Sequence, residues 1–150
     1  MTGLVKFVGG FAVAAMLAAA PMVASAADDA NKDVIDYREH IMKTLDSQTA
    51  AIGMIVSTQI TEENLVAHAE AIAITAKQAL ASFKPNVPGG ESKPEVWKNW
   101  PDFEKRMNDF VAKTELLAKS AKTGGVPVVM EMMVDALTCK GCHDIYREKK

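Results

Sequence analysis

Cysteine occurs at one place in this chain, Cys139-Lys140-Gly141-Cys142-His143, which sets two thiols three residues apart with an imidazole directly after the second. On a helix, residues three apart share a face. Both thiols can therefore form thioethers with the two vinyl groups along one edge of a porphyrin, while His143 reaches the iron from below. Gly141 has no side chain, so a flat macrocycle can approach the backbone closely. The spacing is that of covalent haem c attachment. Three other uses compete with it. A thioredoxin-like redox pair needs a strand-to-helix setting, a zinc site needs a further ligand from His40 or His68, and a plain disulfide would close a loop too short to be a useful structural bridge.

The rest of the chain bounds what can position these groups. With 150 residues, 49% of them hydrophobic and 24% charged, there is room for one domain and too much apolar content for disorder. A formal net charge of −2 with no basic run offers nothing to grip a phosphate backbone, so no nucleic acid is expected. Residues 1–26 have the plan of a secretory signal: Lys6 in a short n-region, an apolar run from Phe7 to Ala20, and Ala24-Ser25-Ala26 as a small-x-small cleavage site. Phe7 to Ala27 could also just span a bilayer, but Pro21 and the cleavage triplet argue against an anchor. The expectation is a mature domain over residues 27–150, in the periplasm and free of the membrane.

That domain reads as four helical stripes. Ile35, Arg38, Met42, Leu45, Thr49, Ile52 and Val56 follow alternating steps of three and four, beginning after Asn31. A break at residues 58–61, with Thr61 as a cap, precedes Leu65, Ala69, Ile72, Ala76, Leu80 and Phe83. Pro85, Pro88, Gly89, Gly90 and Pro94 then make residues 84–99 a long irregular connection. Pro101 opens a third helix through Phe103, Met107, Phe110 and Leu117, ending near Thr123-Gly124-Gly125. Pro127 restarts a fourth through Val129, Met133, Ala136 and Leu137 towards the C-terminus. No period-two alternation is sustained anywhere. The expected fold is all-α, an antiparallel four-helix bundle whose haem lies near the C-terminal helix. Alanine-rich stripes leave such a core thin, as suits a bundle that encloses a cofactor.

Three segments together resemble the cytochrome c′ and cytochrome c-556 family: Cys139-Lys140-Gly141-Cys142-His143-Asp144-x-Tyr146-Arg147 at the end of the last helix, Val34-Ile35-Asp36-Tyr37-Arg38-x-x-x-Met42 in the first, and Lys93-Pro94-Glu95-Val96-Trp97 in the connection. The resemblance spans essentially the whole domain and is nearer the low-spin c-556 type. It implies that Met42 sits over the distal face of the haem. Where a Met there binds the iron, the iron is six-coordinate and low-spin; a bulky apolar side chain leaves it five-coordinate and open to NO or CO. The implied function is a single-electron carrier with His143 and Met42 as axial ligands, and the alternative is a high-spin cytochrome c′ that binds NO or CO. Arg38, by the same resemblance, meets a haem propionate.

Of the nine methionines, Met130, Met132 and Met133 are read as core filler on the helix of His143. Met54, twelve residues past Met42, stands about 18 Å along the helix, and Met107 is the reserve candidate. Arg147 follows His143 by one turn and is placed in the proximal pocket. Tyr146, Tyr37, Trp97 and Trp100 are expected to pack, against the haem edge in Tyr146's case. His40 and His68 are expected on exposed faces. Lys140 would flank the docking site of an unidentified redox partner. The resemblance also implies a homodimer through the first two helices, with Ala50, Ala51, Met54, Ala71 and Ala73 as a modest apolar face. No paired nucleophile and base suggests an enzyme.

Overall fold

A computed structural model describes residues 22–149. Its elements are α1 (Met22–Val56), a 3-10 turn (Glu62–Asn64), α2 (Leu65–Phe83), α3 (Glu95–Lys98), α4 (Trp100–Ala136) and α5 (Lys140–Tyr146). Among the described residues there is no strand, only isolated bridges pairing Ser92 with Gly89 and with Arg147. The all-α expectation holds. The signal read at residues 1–26 lies mostly outside the described residues.

α2 packs between α1 and α4, and this is where alanine earns its place in the stripes. Ala69, Ile72, Ala73, Ala76 and Ala79 are buried on α2, against Ile41, Leu45, Ile52 and Ile55 of α1 and Leu117, Ala118 and Ala121 of α4. Small side chains let the helix axes approach, so the larger ones beside them fill the remaining space. The fourth bundle helix is the second arm of α4. Gly125 adopts φ 57 and ψ −153, a conformation essentially reserved for glycine, and breaks α4 where the sequence placed the end of the third helix. Gly124 beside it must also lack a side chain, since a Cβ there would stand 2.3 Å from Val128 Cγ2.

Several boundaries differ from the sequence reading. α1 is already helical at Met22, the first described residue, instead of starting after Asn31, because the alanines before Asp28 favour helix. Thr61 makes no side-chain cap; the 3-10 turn intervenes before α2. Residues 84–99 contain the short α3, anchored where Trp97 Nε1 donates to the carbonyls of Phe83 and Pro85 at 2.9 and 3.1 Å. The fourth helix does not run to the C-terminus. It stops at Ala136, Leu137 leaves helical geometry, and the cysteines and His143 stand on or beside the separate α5. Met130, Met132 and Met133 therefore do not share a helix with His143. Ala73, expected on the outer face, is in the core. His68 is half-buried, its Nδ1 paired with Gln48 Oε1 at 2.6 Å, whereas His40 is exposed as expected.

Candidate haem site

α1, α4, α5 and the connection enclose a cavity of about 750 Å³, within the range of cofactor pockets. α1 contributes Ile35, Arg38, Met42 and Leu45; α4 contributes Phe103, Met107 and Phe110; the C-terminal segment contributes Cys139, Cys142, His143, Tyr146 and Arg147. Residues read from the sequence as far apart as Arg38 and Arg147 thus meet in one hollow. Met107 lines it as well, while Met54 is exposed and does not. Gly89 and Gly90 close one side. A Cβ on either would press on Ile35, at 2.6 and 2.8 Å, so this wall exists only because the connection can lie directly on α1.

Arg38 is 3% exposed, and its burial is compensated from several directions. Its Nε donates to the Ser82 carbonyl at 3.1 Å and Nη1 to the Val87 carbonyl at 2.7 Å. The guanidinium also stands 5.1 and 5.0 Å from the ring centroids of Phe83 and Trp97. Nη2 is buried without a partner. Burial alone lowers the guanidinium's pKa from its usual value, yet arginine stays charged. An unsatisfied buried donor on a cation calls for an anion, and a haem carboxylate reaching into this cavity would supply one.

At the other end, the thiols of Cys139, exposed, and Cys142, half-buried, are free, and partial desolvation at the cavity wall raises the pKa of both. Burial lowers that of His143, and the Arg147 charge adds to the effect, so the imidazole is neutral at neutral pH, as an iron ligand must be. Arg147 Nε is held at 2.6 Å by Glu91, and the Tyr146 carbonyl accepts from Lys93 N at 3.0 Å, fastening the chain end to the connection. Tyr146 is 4% exposed, its hydroxyl on Asp102 and its ring edge-on to Phe103. Two thiols, a neutral imidazole, a thioether, apolar walls and an unpaired buried cation donor fit a haem.

The competing uses of the cysteines find no such support. Among the described residues no group of three or more His, Cys, Asp or Glu is arranged to hold a metal ion directly, and no strand adjoins the motif. The sequence reading missed Asp102, Arg106, Glu91 and the two glycines of the wall. Asp102 and Arg106 were visible as an i,i+4 pair, and Gly89-Gly90 as a place of close approach, but neither spacing says what it faces.

The family model described as Cytochrome C′ matches residues 33–147. The chain belongs to the cytochrome c′ family. It is 25% identical over 122 residues to a cytochrome c′ of Alcaligenes xylosoxydans xylosoxydans, covering 79% of this chain and 96% of that protein. A cytochrome c-556 of Agrobacterium tumefaciens (strain II Chrys) is 26% identical over 119 residues, covering 77% and 98%. A solved ferrous variant of cytochrome c prime from Alcaligenes xylosoxidans with bound NO superposes with a TM-score of 0.74 at 24% identity, covering 80% of this chain and 97% of that one. That likeness shows the shared four-helix bundle. As a member of the cytochrome c′ family, the chain has one covalently attached haem c as its cofactor. No helix among the described residues is long and apolar enough to cross a membrane.

Proposed function

We propose that this cytochrome carries single electrons in the periplasm, with haem c held by thioethers from Cys139 and Cys142 and with His143 and Met42 as axial ligands. The observation that supports it is that Met42 of α1 and His143 of α5 line the same cavity. Bound haem supplies a one-electron iron couple. A methionine thioether is a soft ligand that favours the ferrous state, so Met42 raises the potential and closes the sixth position. Arg38 Nη2 takes a propionate, and Arg147, paired with Glu91, lies beside His143 on the proximal side. Cys139 and Lys140 are exposed, which gives a redox partner protein access to the attachment edge. A homodimer through α1 and α2 belongs to the same reading, with Ala50 and Met54 exposed on α1. No substrate is turned over, and the mature chain stays off the membrane once its signal is cut near Ala26.

The second reading leaves Met42 unbonded and the iron open to NO or CO. The NO-bound relative supports it, as do Met107 and Phe110, further apolar walls of the same cavity. Absorption spectra of the mature holoprotein, ferric and ferrous, with and without CO, separate the two. Sharp low-spin bands unmoved by CO, turning high-spin in Met42→Ala, are expected. A high-spin wild-type spectrum that CO changes readily would remove Met42 as a ligand and establish the gas-binding reading.

A further inference from the structure

α5 is seven residues long and buries only Tyr146. A helix that short has no stability of its own, so its orientation must be imposed from outside. The connection holds its C-terminal end, through Lys93 N on the Tyr146 carbonyl and the Arg147–Glu91 pair, and two side-chain tethers run to α4 and its N-cap. At the C-terminal end the Tyr146 hydroxyl donates to Asp102 Oδ2 at 2.5 Å and accepts from Asn99 Nδ2 at 3.2 Å, with the ring 5.2 Å from that of Phe103. At the N-terminal end Arg106 Nη1 donates to the Gly141 carbonyl at 3.4 Å, between the two cysteines. Arg106 Nε in turn donates to the same Asp102 oxygen at 2.7 Å. Asp102 and Arg106 are one turn apart on α4, so a single carboxylate oxygen gathers both tethers. His143 lies between the two tethered positions. A helix held at two points along its length cannot roll about its axis.

We propose that Asp102 is a positioning residue for His143: by holding Tyr146 and Arg106 it fixes the roll of α5, and with it the plane in which the imidazole is presented to the iron. The proposal rests on reading His143 as the axial ligand. Arg106 foremost, and Tyr146 after it, hold the Asp102 carboxyl below the usual carboxylate range, so it remains an acceptor through the neutral range.

The test is the ferric EPR spectrum of the holoprotein, with thermal unfolding of the same samples, for Asp102→Ala, Tyr146→Phe, the double variant and Leu117→Ala. Tyr146→Phe keeps the ring on Phe103 and removes only the hydroxyl. Leu117 is fully buried and lines no part of the cavity. Asp102→Ala should shift and broaden the g values, Tyr146→Phe should shift them less in the same direction, and the double variant should go no further than Asp102→Ala. Leu117→Ala should lower the melting temperature and leave the g values in place. Wild-type g values in Asp102→Ala, or an equal shift in Leu117→Ala, overturns the proposal; should Asp102→Ala fail to fold, wild-type g values in Tyr146→Phe overturn it. His143→Ala tells this failure from that of the ligand reading. An unchanged spectrum there discards His143 as ligand, whereas a changed one beside an unaffected Asp102→Ala discards the tether alone.

Discussion

Arg38 shows how one residue can be read correctly in type and incompletely in role. A charge in the apolar stripe of α1 needs a partner, and the sequence shows that much. Its partners lie 44 and 49 residues away, at the Ser82 and Val87 carbonyls, and no local pattern announces them. The guanidinium thus ties α1 to the end of α2 and to the connection while keeping Nη2 for an anion. Lysine gathers its donors on one nitrogen and cannot reach the separate sites that three guanidinium nitrogens reach, nor stack on Phe83 and Trp97 as a planar group can. Arg38→Lys should cost the holoprotein about 2 kcal/mol, the scale of losing a charged hydrogen bond in a buried setting. Guanidinium unfolding measures this, and an unchanged midpoint would mean that the two carbonyl bonds contribute nothing net. Met42 was legible as a stripe position and, through the family resemblance, as the residue facing His143, and the two do line one cavity.

At the scale of elements, periodicity and punctuation located the helices because amphipathic helices bury one face and glycine and proline mark where they stop. Gly124-Gly125 before Pro127 was read as a boundary, and there the chain does break. Gly125→Ala should destabilise the protein by about 1–3 kcal/mol, the cost of placing a side chain in a conformation reserved for glycine. The melting temperature should fall while the absorption bands stay where they are, since Gly125 lies outside the cavity lining. The break between α4 and α5 carries no such punctuation. Leu137-Thr138-Cys139 contains neither glycine nor proline, and the helix ends there because Leu137 departs from helical angles and Cys139 N turns back to the Leu137 carbonyl at 2.9 Å. That break is what makes α5 a separate body needing its tethers to Asp102 and Arg106.

For the whole molecule, the bundle is built around a hollow. α2 fills its contacts with alanine, and the ion pairs Lys77–Glu115 and Lys122–Glu70 that join it to α4 are partly exposed, worth about 0.2–1 kcal/mol each. Apolar surface lining about 750 Å³ needs an occupant to stay packed. The Cys139→Ser/Cys142→Ser variant, purified without haem, should therefore melt well below the holoprotein and bind the dye ANS, as loosely packed states do. Equal melting temperatures and no dye binding would show that the bundle closes on itself. By itself the sequence determined the helical class and the attachment chemistry, because both depend on residues within a turn or two of one another. The resemblance already implied Met42 opposite His143; the tertiary structure alone decided that Arg38 keeps Nη2 unpaired and that Asp102 gathers the tethers of α5. Each of these depends on helix register and on how the Gly89-Gly90 wall lies on α1, contacts between positions that are distant along the chain and carry no local signature.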